Sequence, residues 1–239
     1  VLAASWNPEM MEELYEWEGK ELLRNQIDTL LGPGMNIHRS PLNGRNFEYF
    51  SEDPYLTGTC AAAAVRGIGK TGAAATIKHF ACNNQEKGRT TADSVVSQRA
   101  LREIYLKGFE MAVKEGKARS LMTSYNPLNG HWTASNYDLC TTVLRGEWGY
   151  EGIVMTDWWA KMNDPVEGGK GDMKNTAAMV RAQNDLYMVV GNGGSEENIY
   201  EDNTLEALES GNLSVGELQR CAMNICRFIL ESPVAKRPL

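Results

Sequence analysis

One pattern constrains the fold of this chain more than any other. Short apolar runs, each ending in polar residues, alternate with amphipathic helical segments. The runs lie at Thr29 to Ile37, Ala74 to Phe80, Ser120 to Tyr125, Ile153 to Asp157 and Leu186 to Val190. The third and fourth are apolar or small throughout until a polar group appears at the C-terminal end, as in a strand buried on both faces. Between the runs stand helix starts. Asn7 before Pro8 and Asp53 before Pro54 each pair a capping side chain with proline at the first helical position. Ala61 to Val65 follow the second, small enough for close packing. Ser97 opens a third helix with Leu101, Ile104, Tyr105 and Phe109 on one face. Shorter helices are expected over Tyr137 to Glu147 and Thr176 to Ala182. Ser214 and Glu217 form a capping box before an apolar face of Leu218, Met223, Cys226 and Ile229.

Repeated strand–helix alternation calls for an α/β fold with a parallel sheet, doubly wound or closed as a barrel. Only five clear strands are readable, whereas an eight-stranded barrel takes roughly 250 residues before insertions. Long loops after His38 and Trp158 use up further length, and loops after strand ends are where such folds place function.

Composition removes several classes. The 239 residues carry 24 Lys+Arg against 31 Asp+Glu, a net charge of -7, with no basic cluster to engage nucleic acid. No stretch approaches the roughly 20 apolar residues of a membrane span. The five cysteines, at 60, 82, 140, 221 and 226, cannot all pair, and none sits in a CxxC. They read as buried free thiols, which favours a reducing compartment and so the cytoplasm. His38, His79 and His131 lack zinc-site spacing, so no metal is expected. There is no P-loop, and Gly32-Pro33-Gly34 lacks the third glycine of a dinucleotide fingerprint, so no cofactor is expected either. Gly191 to Gly194 reads as a flexible turn.

Polar groups gather at four strand ends. The first run leads into a loop with Arg45, Glu48, Glu52 and Asp53. The second ends in Lys78-His79, followed by Asn83, Asn84, Glu86 and Arg89. The third ends in Ser124-Tyr125-Asn126, and the fourth in Asp157 with Trp158 and Trp159. In a parallel α/β fold the carboxyl ends of the strands share one face, so these groups would converge. Charged groups beside tryptophans suit a sugar, whose apolar face stacks on an aromatic ring while its hydroxyls meet ionised side chains. Taken singly each has a plainer role: Asp157 as a helix cap, Arg45 as the partner of Glu48 or Asp53, Lys78 and His79 as an ordinary strand end, the tryptophans as core.

The runs L-L-G-P-G-M-N-I-H-R-S-P-L-N-G-R-N-F-E-Y-F-S-E-D-P-Y-L-T-G (30 to 58), K-H-F-A-C-N-N-Q-E (78 to 86), R-A-L-R-E-I-Y-L-K-G-F-E (99 to 110), M-T-S-Y-N-P-L-N-G (122 to 130) and G-Y-E-G-I-V-M-T-D-W-W (149 to 159) resemble glycoside hydrolase family 3 in order. The resemblance covers nearly the whole chain and weakens after about residue 160. It implies a (β/α)8 TIM-like barrel followed by an α/β sandwich, with the active site at their junction. Residues 1–239 would then be the N-terminal barrel domain in part, its first strand or strands missing and the sandwich absent. The implied activity is that of a retaining, exo-acting β-glycosidase, a β-glucosidase, with an oligosaccharide or β-glycoside as substrate.

By position, Asp157 matches the family's nucleophile. Arg45, Lys78, His79, Arg89, Tyr125 and Trp158 match residues that bind the sugar or support the nucleophile, and Lys78 and Arg89 are expected to keep Asp157 ionised. Two departures stand out. The family's substrate-binding Asp upstream has no counterpart here, and the acid/base Glu would lie on the absent domain. One subgroup keeps its acid/base in a K-H-F-P-G-H-G loop, but this chain reads K-H-F-A-C-N-N-Q-E. It therefore resembles the two-domain type and, alone, should act weakly. Gln183 also stands where relatives often have glycine. The competing readings are a non-catalytic sugar-binding remnant and a barrel aldolase using Lys78 as a Schiff base.

Overall fold

The computed structural model describes residues 1–189 and 198–237. In chain order its elements begin with helix α1 (Pro8–Arg24), strand β1 (Thr29–Leu30), helix α2 (Pro54–Lys70) and strand β2 (Ala74–Phe80). The third helical stretch is compound: one turn α3 (Gln98–Ala100), a π-helical segment Leu101–Tyr105, and α4 (Lys107–Lys114). Next come β3 (Ser120–Thr123), the small hairpin β4 (Pro127–Leu128) and β5 (His131–Trp132), and a π-helical segment Asp138–Glu147. The chain continues through β6 (Ile153–Met155), a second hairpin of β7 (Met162–Asp164) and β8 (Gly168–Asp172), and helices α5 (Thr176–Arg181), α6 (Thr204–Glu209) and α7 (Val215–Glu231).

The sheet runs β1-β2-β3-β6, all parallel, and Leu186 extends it by a parallel bridge to Met155. Strand order never reverses along the chain, so the topological switch point of a doubly wound sheet is absent from the described residues. The first run is more broken than its apolarity suggests. Only Thr29–Leu30 form a ladder, because Pro33 has no N–H to donate. The chain rejoins β2 at Gly34, where Met35 N–H donates to Lys78 O at 2.8 Å. The last run reduces to the Leu186 bridge, and Val190 and Gly191 to Gly194 lie outside the described residues.

The expected caps are present: the Asn7, Asp53 and Ser97 side chains each accept an N–H of the first turn, and both halves of the Ser214–Glu217 capping box form. Small residues do their work on α2, where a methyl added at Gly67 would overlap the Glu12 carbonyl of α1, and one at Gly58 would overlap Met111 of α4. Under the sheet Phe80 packs edge-on to Phe109 and Trp148, with centroids 5.2 and 5.9 Å apart.

Two expectations need correction. Cys60, Cys82, Cys140 and Cys221 are buried free thiols, but Cys226 is exposed. It sits on α7, where the apolar face inferred from sequence also fails. Cys221 is buried and Leu218, Ile225 and Phe228 are half-buried, while Met223 and Ile229 are 62% and 48% exposed. The contact stripe is set by what α7 bonds to: Arg220 Nη2 to Val180 O at 2.7 Å, and Asn224 Nδ2 to Asp185 Oδ1 at 2.8 Å. Those polar contacts rotate the helix away from its most apolar side.

Candidate active site

The carboxyl ends of β2, β3 and β6 deliver His79, Tyr125 and Asp157 to one place. Asp157 is 7% exposed. Its Oδ1 accepts the Trp158 N–H at 2.8 Å, and its Oδ2 lies 3.7 Å from His79 Nε2. Tyr125 stands beside the same carboxylate and favours its ionised form. The helix-cap alternative for Asp157 fails, since the next helix starts only at Thr176. Asp157 instead heads an irregular turn in which Trp159 takes a left-handed conformation at φ 51°.

Cations surround this group without clamping it. Arg89 lies 4.9 Å from the Tyr125 ring centroid and pairs with Glu86 at 2.9 Å. Arg45 pairs with Glu48, so the loop-ordering role holds, and the guanidinium still acts on Asp157 electrostatically. Burial depresses the affinity of Lys78 for its proton, opposed by the charges of Glu48 and Asp157.

Arg89 acts as expected in favouring the ionised form of Asp157, but it is not the largest influence. Burial is the largest influence on Asp157 and raises its pKa above the usual aspartate value. The Trp158 N–H, Tyr125, Arg45 and Arg89 oppose it without reversing it. The arginines therefore favour the ionised form against the effect of burial. Tyr125 is pushed up to about 12, by burial first and by Asp157 next, which keeps its proton available to donate. Burial and then Arg45, Lys78 and Arg89 hold His79 well below its ordinary value, so the ring is neutral.

All seven residues singled out from sequence thus belong to one neighbourhood, with Trp158 half-buried beside Asp157. Three further residues support the site: Asn36 and Asn83, which the sequence places at strand ends without a role, and Tyr49, which it does not single out. Asn36, 2% exposed, grips the His79 main chain with both ends of its amide: Nδ2 donates to His79 O at 2.8 Å and Oδ1 accepts His79 N–H at 2.9 Å. Tyr49 and Asn83 lie behind the His79 ring, 5% and 3% exposed. Buried polar side chains inside loops were the available signal. A cleft of about 410 Å³ adjoins the group, lined in part by Arg39, Asn83, Arg89, Tyr105 and Asn126. Among the described residues no three His, Cys, Asp or Glu side chains come together as a metal-binding group, and no helix is long and apolar enough to cross a membrane.

Asp157 is thus a buried carboxylate at a parallel strand end, with arginines, a lysine, a tyrosine and a tryptophan around it. The profile of the glycosyl hydrolase family 3 N terminal domain matches residues 1–228, and the chain belongs to that family. It is 55% identical to a β-glucosidase of Ruminococcus albus, over all of this chain and 25% of that protein. In structure it superposes on a β-glucosidase from Paenibacillus barengoltzii with a TM-score of 0.97 and 73% identity, covering 99% of this chain and 26% of the other. β-Glucosidase 3B from Thermotoga neapolitana, solved in complex with α-D-glucose, gives a TM-score of 0.87 at 45% identity, covering 98% and 32%. The chain therefore spans about a quarter to a third of the length of these relatives.

Proposed function

We propose that this chain is the nucleophile-bearing portion of a retaining, exo-acting β-glucosidase. The observation that carries the reading is Asp157 itself. It is a buried carboxylate at a strand end that accepts the Trp158 N–H, with Tyr125 and the His79 ring beside it and cations around it. In this reading one Asp157 oxygen attacks the anomeric carbon as the bond to the leaving-group oxygen breaks. That oxygen takes a proton from a general acid, leaving a covalent glycosyl ester on Asp157. Water then opens the ester with net retention. Arg45, Lys78, His79 and Arg89 meet the sugar hydroxyls, Trp158 offers its face to the ring, and Tyr125 and His79 steady the carboxylate.

The acid comes from outside this group. Glu48 and Glu86, carboxylates on the neighbouring loops, already accept from Arg45 and Arg89. The relatives' greater length supports a further domain as its source, with the active site at the junction. The same reading takes the unreversed strand order as part of a (β/α)8-type wall, closed by strands outside residues 1–239. Alone, the chain would act weakly on unactivated glycosides, since positioned acid catalysis is worth roughly 10²–10⁴-fold.

The test is intact mass after exposure to a 2-fluoro β-glucoside with a very good leaving group, which departs without protonation. A stable adduct on the Asp157 peptide, absent from Asp157→Asn, supports the reading. The absence of an adduct from the complete enzyme across several sugars overturns it.

A further inference from the structure

Behind the sugar-facing groups runs a line of polar side chains that ends on Asp157. The Tyr49 hydroxyl lies 3.4 Å from His79 Nδ1. Asn83 Nδ2 donates to that hydroxyl at 3.1 Å and reaches Glu86 Oε1 at 3.3 Å. Across the imidazole, Nε2 faces Asp157 Oδ2 at 3.7 Å. Asn36 fixes the His79 main chain, so the ring pivots from an anchored point.

The two ends of the line decide which way its protons point. Both ends are carboxylates, and an ionised carboxylate only accepts. Glu86 is paired with Arg89, so the side of the Asn83 amide turned toward it is the NH2. That NH2 also serves the Tyr49 oxygen, leaving the one Tyr49 proton for His79 Nδ1. With Nδ1 accepting, a neutral ring carries its proton on Nε2, where it faces Asp157. The opposite tautomer would set an imidazole lone pair against the Asp157 carboxylate and leave the buried Tyr49 proton without an acceptor, a costly arrangement at 5% exposure.

We infer that Tyr49, oriented by Asn83 and Glu86, is a positioning residue that holds His79 as the Nε2–H tautomer and aims that proton at the Asp157 carboxylate. The device treats the two nucleophile oxygens differently: Oδ1 is held by the Trp158 N–H, and Oδ2 is steered by a neutral donor that does not protonate it. The consequence for rate rests on the proposed nucleophilic role of Asp157; the tautomer does not.

The chain has three histidines, so long-range ¹H–¹⁵N correlation spectra assign His79 by comparison with His79→Gln. The expected wild-type signature is a pyrrole-type Nε2 and a pyridine-type Nδ1 carrying the shift of an accepted hydrogen bond, and that shift is lost in Tyr49→Phe. A wild-type His79 protonated on Nδ1 overturns the inference, as does an Nδ1 shift unmoved in Tyr49→Phe. In the complete enzyme, Tyr49→Phe should slow formation of the 2-fluoroglycosyl adduct about ten- to a hundredfold, the worth of one charge-assisted hydrogen bond, with the reversible binding constant little changed. An unchanged rate of adduct formation also overturns it. Absence of adduct from the wild type would instead count against Asp157 as nucleophile and leave the spectra to decide the tautomer.

Discussion

Removing the Asp185 carboxylate should cost the fold about 3–5 kcal/mol, the range for breaking a buried ion pair from one side. The Asp185 side chain is fully buried and accepts three hydrogen bonds: Arg145 Nη2 at 2.6 Å, Val154 N–H at 2.8 Å and Asn224 Nδ2 at 2.8 Å. Through them it joins the Asp138–Glu147 segment, β6 and α7. Asp185→Ala strands a guanidinium with 11% side-chain exposure and two neutral donors. Burial is the first influence on Asp185 and raises its pKa, while Arg145 opposes it. The sign follows: above the unfolded value the native state holds the proton more tightly, so ionising Asp185 as pH rises reduces stability. The pair is thus tolerated at neutral pH, not driven by its charge. Replacing both partners with apolar residues, Arg145→Met with Asp185→Leu, should therefore recover much of the single-variant loss. Urea denaturation followed by circular dichroism reads the difference, and the single variant should melt roughly 6–20 °C lower. Glu147→Ala is the control: it breaks a pair with Arg102 whose side chains are 47% and 41% exposed, worth at most about 1 kcal/mol. An Asp185→Ala cost no greater than that of Glu147→Ala, or a double variant that loses the sum of the singles, would refute a costly buried pair here.

Burial keeps His79 neutral in the fold, whereas the unfolded chain takes up a proton below about pH 6.5. Stability should accordingly fall on acidification below that point, with a slope approaching about 1.4 kcal/mol per pH unit, and denaturation of His79→Gln across pH should lack this component. Gly67→Ala should lower the unfolding free energy by about 1–3 kcal/mol, because the methyl meets the Glu12 carbonyl and forces α1 off α2. Gln183 sits at φ 64°, a left-handed conformation that glycine adopts without strain. Gln183→Gly should therefore be neutral or stabilising by up to about 1 kcal/mol in the same assay, and a clear destabilisation would contradict this account.

Much of the site was legible before any coordinates. Strand-end positions are fixed by the pattern of apolar runs, and a parallel sheet sends every carboxyl end to the same face. That is why Lys78, His79, Tyr125 and Asp157 could be grouped from spacing alone. The ordered motifs then tied Arg45, Arg89 and Trp158 to them. The left-handed turn at Gln183 was half-visible, as an odd residue at a position where relatives often have glycine.

Other features were beyond one-dimensional reading. The two small hairpins after β3 and β6, and the short α6, are held by contacts between loops distant in sequence, such as Asn163 Oδ1 accepting Trp132 N–H at 3.0 Å. The face that α7 buries was misjudged because Arg220 and Asn224 bond to Val180 and Asp185, and those long-range polar contacts outweigh the apolar side of the helix. The direction of the Asp157 shift was not legible for a related reason. A list of neighbouring cations gives the sign of each Coulomb contribution but not the depth of burial, and desolvation is the larger influence. The sequence by itself determined the parallel α/β framework and which residues reach its active face, because periodicity and strand direction are local. Which of those groups are buried, which hydrogen bonds orient them and hence how they ionise emerge only once the chain is packed in three dimensions. Burial and donor direction depend on residues dozens of positions apart.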